Sequence, residues 1–345
     1  MSIGLRSLAV SLPSAIRTND YYRAFAPPAA TPWAVDERAT LNEWDLEMQP
    51  YLDDPFRGTC ERRVLAPGQR ALDLELEASR GALAAIGAAP GDVDLVIASS
   101  FLPDDHGVGN APKLARALGV KAPAWNLEST CAGAAVALEV AHALAARYRG
   151  ILIVQSCTYS RATDDASVLS WTTGDGACAA FIGSVEPSAG ILATHTVSTA
   201  ETCGAFRFDL RDDRYVLAGD RDAGKKLRDH SPAFVRDACE GAARAAGVAL
   251  GAIDCFVFNT PVAWFAKFAA RVLGVDPART VDAYPKVANI GPALTLANLY
   301  LAAATAKLRR GDLALVYAIG SASTASATIV RWGDVALAPA PAGFL

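Results

Sequence analysis

From residue 71 onward, the chain alternates between amphipathic segments and short segments that are apolar throughout. The stretch LDLELEASRGALAAIG has helical spacing and ends near Gly87, and residues 95–98 (LVIA) carry no polar side chain. A strand that is apolar on both faces is typical of a buried parallel sheet. The helix APKLARALGV, a strand entering Asn126 and a strand over residues 151–155 continue the alternation. This order predicts an α/β fold with parallel-rich sheets covered by helices.

The first 70 residues follow a different pattern. We predict a strand over about residues 3–12, followed by an irregular segment rich in proline, aspartate and tryptophan. The stretch AFAPPAATPW cannot form one continuous helix, because proline removes backbone donors and biases its neighbours towards extended geometry. Residues 20–60 are therefore interpreted as one or two helices and loops over the core. A disordered arm is the alternative, which the apolar side chains disfavour: Trp33, Trp44, Tyr51 and Phe56.

The pattern of elements occurs twice along the chain. EASRGALAAIGAAPGDVDLVIASS aligns without a gap to DACEGAARAAGVALGAIDCFVFNT, so that Gly81 meets Gly241, 160 positions later. The following helix, the next turn and the next strand also find counterparts in the same order. We therefore predict two homologous halves, residues 1–186 and 187–345.

One cysteine lies where this repeat predicts a functional site. Cys131 precedes a helix rich in small residues, and Asn289 occupies the equivalent position in the second half. Asn259 ends the strand equivalent to the one that ends at Ser99. Ligands of such sheets bind at the carboxyl ends of strands, so we expect Cys131, Asn259 and Asn289 to meet in one pocket. A helix N-terminus favours thiolate and predicts a lowered pKa for Cys131; a buried core cysteine is the structural alternative.

Composition narrows the classes of function. The net charge is −4 without a Lys/Arg run, which argues against a nucleic-acid partner. No stretch reaches the roughly twenty apolar residues of a membrane helix, and the N-terminus has no long apolar core of a signal peptide. Seven scattered cysteines without a CxxC pair suggest reduced thiols in a cytoplasm rather than disulfides or zinc. We expect neither a cofactor nor a metal; the turn 174–176 (GDG) lacks the GKS/T of a phosphate loop.

Six motifs lie in a fixed order along the chain: RGTCERRVLAPGQ (57–69), NLESTCAGAAVAL (126–138), TTGDGACAAFIGS (172–184), ILATH (191–195), ANIGPA (288–293) and GDLALVYAIGSASTASATIVRW (311–332). Together they resemble the β-ketoacyl-acyl carrier protein synthase III family of the thiolase superfamily, over nearly the whole chain.

The resemblance implies a five-layered αβαβα fold, a homodimer, and an acyl group loaded from a thioester onto a cysteine and then passed on. Cys131 matches the nucleophile, and Asn289 matches the asparagine of the family's Cys-His-Asn triad. The Cys131 N–H and the turn at Gly320 would form the oxyanion hole.

The histidine of that triad falls on Asn259 in this chain. An amide can donate a hydrogen bond but cannot accept a proton at neutral pH, and a general base contributes roughly 10²–10⁴-fold to rate. The substitution disfavours decarboxylative condensation and leaves acyl transfer to a good nucleophile feasible.

The remaining histidines are the alternative sources of a general base. His195 matches a structural histidine of the family, and His106 lies in a loop that would be solvated or reach a neighbouring site; packing, surface or capping roles are predicted for His142 and His230.

The substrate handle also departs from the family. Relatives that use coenzyme A hold its adenine between a tryptophan and an arginine; here Phe56 takes the arginine position and Trp44 is the nearest tryptophan. This favours an acyl carrier protein over acyl-CoA as donor. A basic surface for such a carrier, with solvated surface charge as the alternative, comprises Lys225, Lys226, Lys267 and Arg271.

Two hypotheses for the function follow. The first is a synthase III-like acyl-thioester transferase of fatty-acid or polyketide-type metabolism, acting through Cys131 by acyl transfer or by carbon–carbon condensation. The second is a non-catalytic or partner-dependent subunit that binds acyl carriers. Trp264 and Phe265 either line an acyl tunnel or pack between helices.

Overall fold

The computed structural model describes residues 2–25 and 41–345. Trp33, which the sequence places over the core, lies outside these residues. The strands are β1 Ser2–Ser11, β2 Ala15–Thr18, β3 Glu61–Val64, β4 Leu95–Phe101, β5 Ala124–Asn126, β6 Gly150–Thr158, β7 Asp175–Val185, β8 Gly190–Ser198, β9 Phe206–Arg211, β10 Arg214–Gly219, β11 Cys255–Phe258, β12 Leu313–Gly320, β13 Thr324–Arg331 and β14 Ala336–Leu337.

The α-helices alternate with these strands over most of the chain, as the apolar spacing predicts. They are α1 Asn19–Arg23, α2 Glu43–Met48, α3 Ala71–Ala85, α4 Ala111–Leu118, α5 Gly133–Ala143, α6 Val168–Thr172, α7 Ala223–Ala246, α8 Phe265–Leu273, α9 Tyr284–Val287 and α10 Ala293–Ala304.

Two large sheets carry the fold, and their strand orders match. The first runs β14-β1-β7-β6-β4-β5 and the second β11-β12-β13-β8. In each sheet, two neighbouring strands that the chain joins through helices are parallel: β4 pairs with β6, and β11 pairs with β12. The order β1-β7-β6-β4 is therefore repeated as β8-β13-β12-β11. This repetition supports two homologous halves; the boundary at residue 186 stays a prediction.

Helices cover both sheets and separate them. Helices α3 and α4 pack on the outer face of the first sheet, α7 and α8 on the outer face of the second, and α5 and α10 lie between the sheets. The five layers αβαβα are those that the family resemblance implies. The inner apolar cluster joins α5 and α10 to both sheets, because both helices are apolar nearly all round. Within the described residues, no helix is both long and apolar enough to span a bilayer.

The irregular early segment packs onto the core, as predicted for its described part. Helix α2 starts with a capping box at Asn42, and Trp44 is buried against Trp264 and Phe268. Phe56 is buried beside Trp171, with ring centroids 5.6 Å apart. The aromatic side chains of this segment therefore anchor it to the molecule.

Candidate active site

A largely apolar cavity of about 160 Å³ opens at the carboxyl ends of the central strands. Cys131 and Asn289 both line it, which confirms that these equivalent turns of the two halves converge. The remaining walls come from strand ends, the β9–β10 hairpin, α6 and α7: Phe101, Thr130, Tyr159, Leu169, Thr172, Thr173, Phe206, Leu217, Leu227, Pro261, Val262, Ile319, Ser321 and Ala322.

Cys131 lies in a 3₁₀ turn, Thr130–Ala132, that leads directly into α5. Its side chain is half-buried, and the Tyr159 hydroxyl lies 3.7 Å from Sγ. Burial raises the pKa of the Cys131 thiol to about 11, although the hydrogen bond with Tyr159 lowers it. The predicted lowering of the Cys131 pKa by the helix N-terminus is therefore wrong: in apolar surroundings, the cost of desolvating a thiolate outweighs the favourable helix end.

Gly320 ends β12 directly against the turn that carries Cys131. A Cβ added there would meet Thr130 Oγ1, would lie 2.5 Å from the Ser129 carbonyl oxygen and 3.0 Å from the Ala132 nitrogen. Only glycine allows this approach of two backbones. Gly320 itself does not line the cavity, but Ile319 and Ser321 on either side of it do.

Strained backbone surrounds the cavity. Thr130, Ser321 and Ala322 have positive φ angles of 48°, 49° and 55°, and Ala288 has φ 57° with ψ −160°, a region that favours glycine. Each such residue costs on the order of 1–3 kcal/mol, and strain of this kind clusters at functional sites. Here it lies immediately beside Cys131, Gly320 and Asn289.

Asn289 is fixed by backbone hydrogen bonds to the loop that precedes β7. Its N–H donates to the Thr172 carbonyl and its own carbonyl accepts from Gly174, each at 3.0 Å. Its side-chain Oδ1 accepts a hydrogen bond from the Gly291 N–H at 2.8 Å. Among the described residues no group accepts a hydrogen bond from Nδ2, which can therefore donate towards a ligand.

Asn259 is placed differently from its two predicted partners. Its side chain is fully buried and is not among the residues that line the cavity. Its Nδ2 donates to the Gly291 carbonyl at 3.2 Å, whereas Oδ1 has no hydrogen-bond partner among the described residues. Asn259 thus contacts the same turn as Asn289.

All four histidines lie within the described residues, and none lines the cavity. His195 packs against Gly241 of α7, and the exposed ring of His106 lies 4.3 Å from that of Tyr215. His142 is half-buried on α5 and His230 lies near Phe234. Within one protomer, therefore, no histidine lines the cavity that contains Cys131. The reach of His106 into a neighbouring site stays a prediction.

The residues considered for substrate binding lie mostly in the core or in ion pairs. Trp44 is buried in the core and offers no face to an adenine. Trp264 and Phe265 pack in the same cluster and do not line the cavity, so helix packing is their role. Of the four basic residues, three form ion pairs with neighbouring carboxylates, and Lys267 is exposed: the pairs are Lys225–Asp229, Lys226–Asp220 and Arg271–Glu47.

Sequence reasoning missed Tyr159 and the β9–β10 hairpin. Tyr159 directly follows β6, so the rule that functional groups lie at carboxyl ends of strands was sufficient to find it. Phe206 and Leu217 of the hairpin reach the cavity from a segment that lies outside the aligned sequence repeat, and no sequence signal marks them.

Comparisons with known proteins agree with this architecture. Two family models match, 3-oxoacyl-[acyl-carrier-protein] synthase III over residues 125–200 and its C-terminal domain over residues 243–332. The β-ketoacyl-[acyl-carrier-protein] synthase III proteins of Brucella suis and Rhodospirillum centenum are 26% and 28% identical, each over 85% of this chain and 91% of the relative.

Solved structures resemble the whole fold. The synthase III (FabH) of Pseudomonas aeruginosa PAO1 superposes with a TM-score of 0.81 at 22% identity, covering 96% of this chain and 99% of that one. The priming β-ketosynthase of the R1128 polyketide pathway has a TM-score of 0.80 at 22% identity, covering 96% and 97%. A histidine-to-asparagine variant of Xanthomonas campestris OleA has a TM-score of 0.79 at 20% identity, covering 96% and 99%.

The duplicated five-layered fold, with a cysteine at the start of a central helix, defines a protein of the thiolase superfamily. Within that superfamily, the two matched family models and the curated relatives are all synthase III proteins. The chain is therefore acyl carrier protein synthase III-like, with the fold of the thiolase superfamily.

Proposed function

We propose that the protein is an acyl-thioester transferase in which Cys131 accepts an acyl group and passes it to a carrier-bound or small-molecule acceptor. The observation that carries this proposal is the position of Cys131 in the wall of an apolar cavity that Asn289 also lines. In the loading step, Sγ attacks the thioester carbonyl, the carbonyl–sulfur bond of the donor breaks, and the Cys131 proton leaves with the donor thiol.

Acyl transfer fits the site better than decarboxylative condensation. No histidine lines the cavity, and the buried Asn259 cannot accept a proton. A thiol acceptor needs little help from a base, because thiolates form near neutral pH. The proposed place of the reaction is fatty-acid or polyketide-type metabolism.

The size of the cavity favours a short acyl group. An apolar protein cavity of roughly 150 Å³ accommodates benzene, so about six carbon atoms fit a volume of 160 Å³. The side chains of Phe101, Phe206 and Leu217 supply an apolar lining for such a chain.

An acyl carrier protein is the proposed donor, because Trp44 and Phe56 are both buried and neither ring is open to bind the adenine of coenzyme A. We also retain the predicted homodimer in a cytoplasmic setting. In support of a dimer, β5 is an edge strand of the large sheet and exposes 42% of Trp125, and unpaired edge strands are templates for pairing.

Intact-protein mass spectrometry after incubation with acyl-CoA and acyl-carrier-protein donors tests the function. One added acyl group is expected, lost in Cys131→Ala and retained in Cys60→Ala, which removes an exposed thiol away from the cavity. The absence of an adduct with every donor would contradict the proposal and favour the non-catalytic or partner-dependent acyl-carrier-binding subunit.

A further inference from the structure

Tyr159 is a polar side chain in contact with the Cys131 sulfur, and the proposed reaction does not yet use it. It directly follows β6, is 4% exposed and lines the same cavity as Cys131. Its hydroxyl oxygen is 3.7 Å from Cys131 Sγ, within the range of a sulfur hydrogen bond. The phenol is therefore positioned to act on the atom that forms the acyl bond.

The ring of Tyr159 is held in place from several sides. Phe101 contacts it edge-on, with ring centroids 5.5 Å apart, and Phe208 of the β9–β10 hairpin lies at 6.3 Å. Its backbone carbonyl accepts hydrogen bonds from the Ala162 N–H at 2.8 Å and from the Thr163 hydroxyl at 3.0 Å. Such fixation places the hydroxyl at the sulfur without a further loss of side-chain freedom during the reaction.

The phenol is a donor in this environment. Burial raises the pKa of Tyr159 well above its ordinary value, so the hydroxyl keeps its proton while the thiol ionises. The other titratable group that acts on the Cys131 sulfur is Glu128, which precedes the turn, and its negative charge disfavours a thiolate. Cys157 on β6 also contacts the Tyr159 hydroxyl, but burial raises the pKa of its thiol well above the ordinary value, so that it stays neutral. Of the two side chains that shift the Cys131 pKa, only Tyr159 favours the anion.

We propose that Tyr159 is a catalytic residue whose hydroxyl donates a hydrogen bond to the Cys131 sulfur, stabilising the thiolate that attacks the thioester in a site without a histidine. The catalytic role of Tyr159 rests on the proposed function, acyl transfer through Cys131. The stabilisation of the thiolate by Tyr159 can be measured without any acyl donor. At 3.7 Å, this hydrogen bond to a charged sulfur is expected to lower the thiol pKa by about one unit. One unit corresponds to a tenfold change in the thiolate fraction.

The test is the pH profile of iodoacetamide alkylation at Cys131, followed by peptide mass spectrometry so that the exposed Cys60 and Cys203 do not interfere. In Tyr159→Phe, which keeps the ring and its packing, alkylation at pH 8 is expected to be about tenfold slower, with the profile displaced to higher pH. Tyr317→Phe is the matched control, because this buried hydroxyl has no hydrogen-bond partner among the described residues and its ring packs against Phe258 and Phe265. Its profile should coincide with that of the wild type.

A Tyr159→Phe profile that coincides with the wild type, in a variant with an unchanged melting temperature, would overturn the proposal. If Tyr159→Phe proves unstable, Tyr159→Leu and Tyr159→Gln supply the comparison: glutamine, which retains a donor, should alkylate faster than leucine, and equal rates would contradict the proposal. Failure of the proposed function is distinguishable from failure of the Tyr159 proposal. The first appears as the absence of acyl loading in the wild type, and the second appears only in the alkylation profiles.

Discussion

Replacement of Gly320 by alanine should disable the site, because the added Cβ would displace the turn that carries Cys131. The new Cβ would lie 2.5 Å from the Ser129 carbonyl oxygen, about 0.9 Å short of the 3.4 Å at which ordinary contact begins. That carbonyl accepts the hydrogen bond from the Ala132 N–H that closes the turn around Cys131. The turn must therefore move by nearly an ångström, taking the sulfur and its backbone N–H with it.

A misplacement of about 1 Å can cost on the order of 10²-fold in rate, and overpacking of this kind typically costs about 1–3 kcal/mol of stability. We expect the rate of acyl loading of Gly320→Ala, followed by quenched intact mass spectrometry, to fall by about two orders of magnitude in a protein that still folds. Gly91→Ala is the control, because an added Cβ there meets nothing within 4 Å. A loading rate within a factor of three of the wild type would refute the assignment of Gly320 to the nucleophile turn.

Two further predictions concern stability. Burial raises the pKa of Asp282 to about 6, so the stability that its protonated form contributes is complete below about pH 4 and is lost as the pH rises through 6. Asp282→Asn keeps an acceptor for Thr260 and should be more stable than the wild type at pH 7, by up to about 3 kcal/mol in urea unfolding, with no gain at pH 4; an equal gain at both pH values would contradict this. Ala288→Gly should raise the free energy of unfolding by about 1 kcal/mol, because glycine relieves the strain at φ 57°; a loss of stability would show that the backbone is not strained there.

The fold was largely predictable from the sequence, because the apolar spacing and the internal repeat both report backbone structure directly. The two sheets share the strand order that the repeat requires, and Cys131 and Asn289 meet as their equivalent positions predict. The position of Asn259 was not predictable at this level. Its strand ends at the expected edge, but whether its side chain faces the cavity or the turn at Gly291 depends on local packing.

The electrostatics of the site required the structure. A helix N-terminus suggests a reactive thiolate, yet the apolar walls contributed by distant segments, Phe206 of the hairpin among them, raise the pKa of Cys131 instead. Desolvation is the sum of contacts with residues far apart in the chain, and one local motif does not encode it.

The central claim is that an acyl group passes through Cys131, and a chase experiment tests it most directly. Protein loaded with a short acyl group is freed from donor and mixed with a holo-acyl carrier protein, and both chains are weighed by mass spectrometry over time. The account predicts that the acyl mass leaves the loaded protein, appears on the carrier, and does neither when Cys131→Ala replaces the wild type. An acyl group that stays on Cys131, or a carrier acylated equally well by Cys131→Ala, would contradict it.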